Sequence, residues 1–260
     1  QIPVQDLLII PTQDTMMAVL DCAYRVYQSA AKLCLKKYSM RALTADEGGL
    51  APPFHDIDDL FNDALEAINM AGYTAGKEVT LAVDVASSNF YQQGKYQFSD
   101  QWVDSEEMID ILTGWVTKYP IISLEDGLAE DDWDHWPLLK KKISNRSLVV
   151  GDDLLCTNPA RIEKAMKKDA ANTLLLKVNQ IGTLTEALRA YKLARKYGWQ
   201  VTISARSGET EDNWLADLAA GWQGDQIKIG SIAQSERLAK YNRLLEIESE
   251  TGLQIISWPR

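Results

Sequence analysis

With 260 residues, 46% hydrophobic and 25% charged, the chain has the composition of a globular protein able to bury one large core. A net charge of -10 and a pI near 4.8 argue against a general nucleic-acid or membrane-surface binder, because either partner would repel that field. Local basic sites for a small anion stay open. No apolar run reaches the roughly 20 residues needed to span a bilayer, and no basic-then-apolar leader opens the sequence. Cys22, Cys34 and Cys156 show neither metal-ligand spacing nor a paired framework, which fits buried thiols in a reducing compartment. A cytoplasmic protein is the expectation.

The chain opens on IPVQDLLIIPT, a strand-like segment with no cap or linker before it, so more chain is expected upstream of Gln1. Strand and helix signals then alternate. VTLAVDVASSNFY, YPIISLEDG, SLVVGDDL, NTLLLKVN, WQVTISARSG and DQIKIG read as short β-rich runs. Pro159 to Lys168 and Thr183 to Tyr197 read as helices between them, and DDWDHW, with His135, reads as helix-like. The pattern predicts an α/β barrel, in which functional groups gather at the carboxyl ends of the strands.

Those ends carry Asp84, Glu125, Asp126, Asp152, Asp153, Lys177, Arg206 and Lys228. One acid after a strand is ordinarily a helix cap or a solvated loop residue; repetition at successive strands is not. Carboxylates converging in one pocket repel unless a cation neutralises them, and an all-oxygen set suits Mg²⁺. Asp84, Glu125 and Asp152 are the expected ligands. Lys177, ending the apolar run NTLLLK, would stand in the barrel mouth as a candidate base.

DEGGLAPP at residues 46–53, VDVASSNFY, SLEDGLAEDDWDHW, GDDLLCTNP, LLLKVNQIGTLTEA, SARSGETED and SERLAKYNRLLEIE follow one another as do the motifs of a known family. The chain resembles the catalytic C-terminal barrel domain of enolase, phosphopyruvate hydratase, over residues 1–260. The resemblance implies an enolase-type TIM (β/α)8 barrel whose early elements depart from simple alternation. It also implies removal of water from 2-phosphoglycerate to give phosphoenolpyruvate in glycolysis, and a homodimer or a larger assembly. The small N-terminal domain, first strand and substrate-closing loop of that family are then expected before Gln1, so either this is a fragment or another segment completes the barrel.

Position by position, the resemblance assigns Asp84, Glu125 and Asp152 to the tighter Mg²⁺ and Lys177 to proton abstraction. Lys228 would help neutralise the developing dianion. Lysine acts as a base near neutral pH only when a neighbouring cation or metal depresses its pKa. Arg206 and Ser207 match the phosphate-binding pair, Glu47 an acid around the departing hydroxyl, and Gln5 a substrate-side amide.

The chain also departs from the family. Ala205 stands where a histidine normally precedes the phosphate-binding arginine, and neither His55 nor His135 replaces it in sequence. Asp6 stands where a glutamate follows Gln5, one methylene shorter, and a displacement of about 1 Å can cost roughly 10²-fold in rate. Asn89 replaces a glutamate and Gly127 a proline in their motifs. Three readings stay open: an enolase-type lyase, a superfamily enzyme acting on another hydroxy acid, and a non-catalytic enolase-like structural or interaction protein. The tryptophans fit packing, and the basic clusters KKYSMR and KKKISNR fit solvated helix ends.

Overall fold

The computed structural model describes residues 2–39, 41 and 43–256. The chain forms two compact units, Ile9–Thr80 with Ile203–Arg260, and Ile2–Leu8 with Leu81–Thr202. Seven strands, among the described residues, are hydrogen-bonded in one sheet in the order β1-β2-β6-β7-β8-β9-β10.

The chain starts with β1 (Asp6–Pro11), α1 (Met16–Tyr38) and α2 (Ile57–Met70). Thr15, extended, accepts the Ala18 N–H and so satisfies an orphan donor at the start of α1; Asp56 does the same for Asp59 at α2. Cys22, Val26, Leu33, Phe61, Ala67 and Ile68 are buried. Between the helices, the buried Asp63 takes Lys37 Nζ at 2.6 Å and the Tyr38 hydroxyl at 2.7 Å, so its charge is compensated on both oxygens. Within the cluster KKYSMR, Met40 lies outside the described residues.

Next come β2 (Val79–Asp84), a 3₁₀ turn (Ser87–Phe90) and a meander of β3 (Tyr91–Gln92), β4 (Lys95–Phe98) and β5 (Gln101–Val103). They lead into α3 (Ser105–Lys118) and β6 (Ile121–Glu125). Asp104 and Glu107 close a capping box on α3, each side chain accepting the other's backbone N–H. Then α4 (Trp136–Ile143), β7 (Leu148–Gly151), α5 (Pro159–Lys168), β8 (Thr173–Leu176), α6 (Val178–Ile181), α7 (Leu184–Lys196) and β9 (Gln200–Ser204) follow. Strands β2, β6, β7 and β8 are successive parallel neighbours, with Asp84 opposite Glu125 and Glu125 opposite Val150. Every residue of β8, TLLL, is buried, as expected of a parallel strand covered on both faces.

The chain closes with α8 (Trp214–Gly221), β10 (Gln226–Lys228) and α9 (Ser235–Thr251). Helix α5 has the predicted bounds, and Thr183 caps α7 rather than joining it. The basic run Lys140 to Lys142 forms the last turn of α4, where cations favour the helix dipole.

The DDWDHW segment corrects the sequence reading. It is a series of turns, and only Trp136 enters a helix. The cause is Asp132, whose carboxylate accepts the Tyr96 and Ser105 hydroxyls at 2.7 Å each and faces His135 Nδ1. Tyr96 in turn accepts the Ala129 N–H, and Trp136 Nε1 donates to the Ala129 carbonyl. Such local side-chain bonding competes with the helix. Trp133 and Trp136 are in the core, and Trp214 is 44% exposed. Asp132→Ala strands two buried hydroxyls and should cost roughly 3 kcal/mol, read as a lowered midpoint in urea.

Gly127 is tight. A Cβ there would lie 3.0 Å from Leu124 and Leu139 and 3.1 Å from Leu112. Gly127→Ala should therefore destabilise through overpacking, by about 1–3 kcal/mol, in the same denaturation measurement.

Candidate active site

In the unit Ile2–Leu8 with Leu81–Thr202, the strand ends deliver the acids. Asp84 ends β2, Glu125 ends β6, and Asp152 follows β7 directly. They are 3, 5 and 7% exposed, a depth at which carboxylates need compensating charge. Lys177 follows β8 and pairs its Nζ with Asp152 Oδ2. Gln180 Nε2 donates to the other oxygen, Oδ1, at 2.8 Å. Thr157 links the two sides: its hydroxyl donates to Gln180 Oε1 at 2.8 Å and accepts the Lys177 N–H at 2.9 Å. Gln5 donates its N–H to the Asp84 carbonyl and its Nε2 to Asp84 Oδ2 at 3.3 Å.

A second acidic grouping overlaps this one. Oxygens of Asp126, Asp152 and Asp153 lie within 4.8 Å of one another. Asp126, however, accepts the N–H of Asp152 at 3.0 Å and of Asp153 at 2.7 Å, one on each oxygen. Burial, with the carboxylates of Asp152 and Asp84 beside it, pushes its pKa well above the ordinary range. Its geometry is that of a group holding the turn after β7, and Asp152 is common to both groupings. Buried, all-oxygen and mutually repelling, the set suits a hard divalent cation.

The loops here hold backbone that ordinary residues avoid. Ala86, Asp126, Cys156 and Thr157 all have φ between 42° and 51°, a left-handed region costing roughly 1–3 kcal/mol per residue. They follow β2, β6 and β7, at the same end of the strands as the acids. At Gly151, immediately before Asp152, a Cβ would lie 2.6 Å from Leu155 Cγ, so the leucine would have to shift to admit one.

In the unit Ile9–Thr80 with Ile203–Arg260, a second set gathers. The Ser207 hydroxyl donates to Glu47 Oε1 at 3.0 Å, and Ser231 N–H to the Glu47 carbonyl at 3.0 Å. Arg206 N–H donates to Glu209 Oε1 at 2.9 Å, and Ala205 N–H to the Lys228 carbonyl at 2.9 Å. Glu47, Ser207, Arg206 and Lys228 thus belong to one bonded group of loops. Asp6, which belongs to the other unit, opens β1 and is half-buried. His55 is exposed, and His135 belongs to the Asp132 cluster.

Sequence reasoning missed Thr157, Gln180, Arg237, Lys240 and Tyr241, none of which sits at a strand end. All three cysteines are free thiols; Cys22 and Cys34 are buried as expected, whereas Cys156 is only half-buried, and burial pushes Cys22 up to about 11, far from a reactive thiolate. Among the described residues no helix is long and apolar enough to cross a membrane.

A family description, the enolase C-terminal TIM barrel domain, matches residues 1–257. The strand-end acids, the following lysine and the parallel α/β sheet accord with that match, and the chain belongs to the enolase family as its C-terminal TIM barrel domain.

Proposed function

We propose that this protein removes water from 2-phosphoglycerate, with Mg²⁺, to give phosphoenolpyruvate. The observation that carries the reading is the placement of Asp84, Glu125 and Asp152 at three neighbouring strand ends, with Lys177 Nζ on Asp152. Asp84, Glu125 and Asp152 would hold the metal. Bound there, Mg²⁺ would supply positive charge against the substrate carboxylate and against the dianion that forms when Lys177 takes the proton.

Lys177 takes the proton from the carbon beside the carboxylate. Its side chain is only 13% exposed, so little water competes for that proton. Asp152 and Thr157 orient it from the side chain and the backbone. Arg206 offers a planar fork to the phosphoryl oxygens and Ser207 a hydroxyl donor. Lys228 adds positive charge against the developing dianion. Glu47, with Asp6, serves the departing hydroxyl, and Gln5 contacts the substrate as an amide.

The three free thiols support a cytoplasmic setting. Family membership supports a homodimer, or a place in a larger assembly, and an acidic chain supports a small-molecule partner over nucleic acid or membrane. Ala205 favours a second reading. A methyl stands there, 7% exposed, in place of an imidazole, so an acid needing less help at its leaving group would suit the same metal and base.

The test is Mg²⁺-dependent appearance of phosphoenolpyruvate from 2-phosphoglycerate, with a chelator as control. Turnover lost on chelation supports the first reading. Mg²⁺ binding by folded protein with no turnover rejects it, and a screen of other hydroxy acids then separates the second reading from a non-catalytic one.

A further inference from the structure

One face of α9 is polar and buried, which an ordinary amphipathic helix does not require. Arg237 and Lys240 are both fully buried, and with Tyr241 they occupy positions i, i+3 and i+4, side by side on that face. None is directed at a carboxylate alone.

Their donors go to backbone carbonyls of two loops. Arg237 Nη1 donates to the Arg206 carbonyl at 2.7 Å and to that of Ile229 at 3.0 Å, while Nη2 donates to the Ser207 carbonyl at 2.6 Å. The Tyr241 hydroxyl donates to the Gly230 carbonyl at 2.7 Å. Lys240 Nζ donates to the Thr210 carbonyl at 2.6 Å and pairs with Glu209 Oε2 at 2.9 Å. The other oxygen of Glu209 accepts the Arg206 N–H. The helix therefore grips the turn after β9, which carries Arg206 and Ser207, and the turn after β10, which directly follows Lys228.

Gly230 lets the grip close. Its φ is +108°, and a Cβ there would lie 3.0 Å from Arg237 Cδ and 3.3 Å from the Glu47 carbonyl oxygen. A guanidinium fits the task because its planar fork presents several donors in fixed directions, whereas an ammonium cannot reach carbonyls of both turns in one geometry.

The geometry points to Arg237, supported by Tyr241 and Lys240, as the positioning residue that holds the Arg206–Ser207 turn and the Lys228 turn in phosphate-binding register. This rests on the reading of Arg206 and Ser207 as the phosphate site. It assigns α9 a part in substrate affinity although none of these three side chains is placed on the substrate.

The experiment measures the dissociation constant of 2-phosphoglycerate in saturating Mg²⁺, and that of Mg²⁺ alone, for the wild-type chain, Arg237→Lys and Tyr241→Phe. Tyr241→Phe removes one hydroxyl and keeps the ring, so it reports even where Arg237→Lys fails to fold. The expected result is at least tenfold weaker 2-phosphoglycerate binding for Arg237→Lys and severalfold weaker for Tyr241→Phe, with Mg²⁺ binding unchanged. A merely structural role would lower the melting temperature without moving the ester affinity, and folded variants that bind the ester like wild type overturn the proposal. Wild-type protein that binds Mg²⁺ but no ester overturns the underlying phosphate reading, and this proposal with it.

Discussion

Lys177→Ala should lower kcat for phosphoenolpyruvate formation by about 10²–10⁴-fold, the usual contribution of a positioned general base. Mg²⁺ binding should persist or tighten. The sign follows from the pairing of Lys177 with Asp152: removing the ammonium frees a carboxylate oxygen that a cation would otherwise contest. Lys177→Arg sharpens the result, since a guanidinium keeps the charge and cannot act as a base. If charge alone mattered, Arg would restore turnover; the account expects it to stay as inactive as Ala. Steady-state rates beside a Mg²⁺ titration read both parts.

The second large effect separates the two acidic groupings. Glu125→Gln removes one anion from the set Asp84, Glu125 and Asp152 and should weaken Mg²⁺ binding by more than about 100-fold, since losing even an outer-shell partner costs roughly 10–100-fold. Asp126→Asn should act differently. An amide offers one acceptor oxygen where the carboxylate used two, so one of the N–H groups of Asp152 and Asp153 loses its partner. The expected cost is about 1–3 kcal/mol of stability, with a smaller loss of Mg²⁺ affinity from the displaced turn. Calorimetric titration and urea unfolding measure the two quantities independently. Abolished Mg²⁺ binding in Asp126→Asn, beside intact binding in Glu125→Gln, would transfer the site to Asp126, Asp152 and Asp153.

The strand-end acids and Lys177 were legible because a parallel strand declares itself as an apolar run, and the first polar residue after it marks the loop. That rule located Asp84, Glu125, Asp152, Lys177 and Lys228 correctly at the ends of their strands or one residue beyond. It could not find Asp126 as a turn clamp, because two adjacent acids look alike in sequence and only the direction of the carboxylate distinguishes them. Arg237 and Lys240 escaped for a related reason. A charged residue on a helix reads as solvated, and their burial depends on carbonyls some 30 residues away in the chain.

The helix-like reading of DDWDHW failed because periodicity omits competing side-chain bonds. Asp132 serves Tyr96 and Ser105, 36 and 27 residues upstream, and those bonds hold the segment in turns. The β3-β4-β5 meander was missed since its strands span only two to four residues, too short for alternation to register. The departures Ala205 and Asp6 were visible at once. On the proposed reading their effect would fall on the leaving-group side, where no strand-end rule applies.

That division between base side and leaving-group side selects the most direct measurement. In deuterated buffer with Mg²⁺, NMR follows exchange of the hydrogen beside the carboxylate of 2-phosphoglycerate. The account predicts exchange that needs Mg²⁺ and disappears in Lys177→Ala, whether or not phosphoenolpyruvate accumulates. Absence of exchange and of product in folded, Mg²⁺-bound protein, or exchange undiminished in Lys177→Ala, would contradict Lys177 as the base.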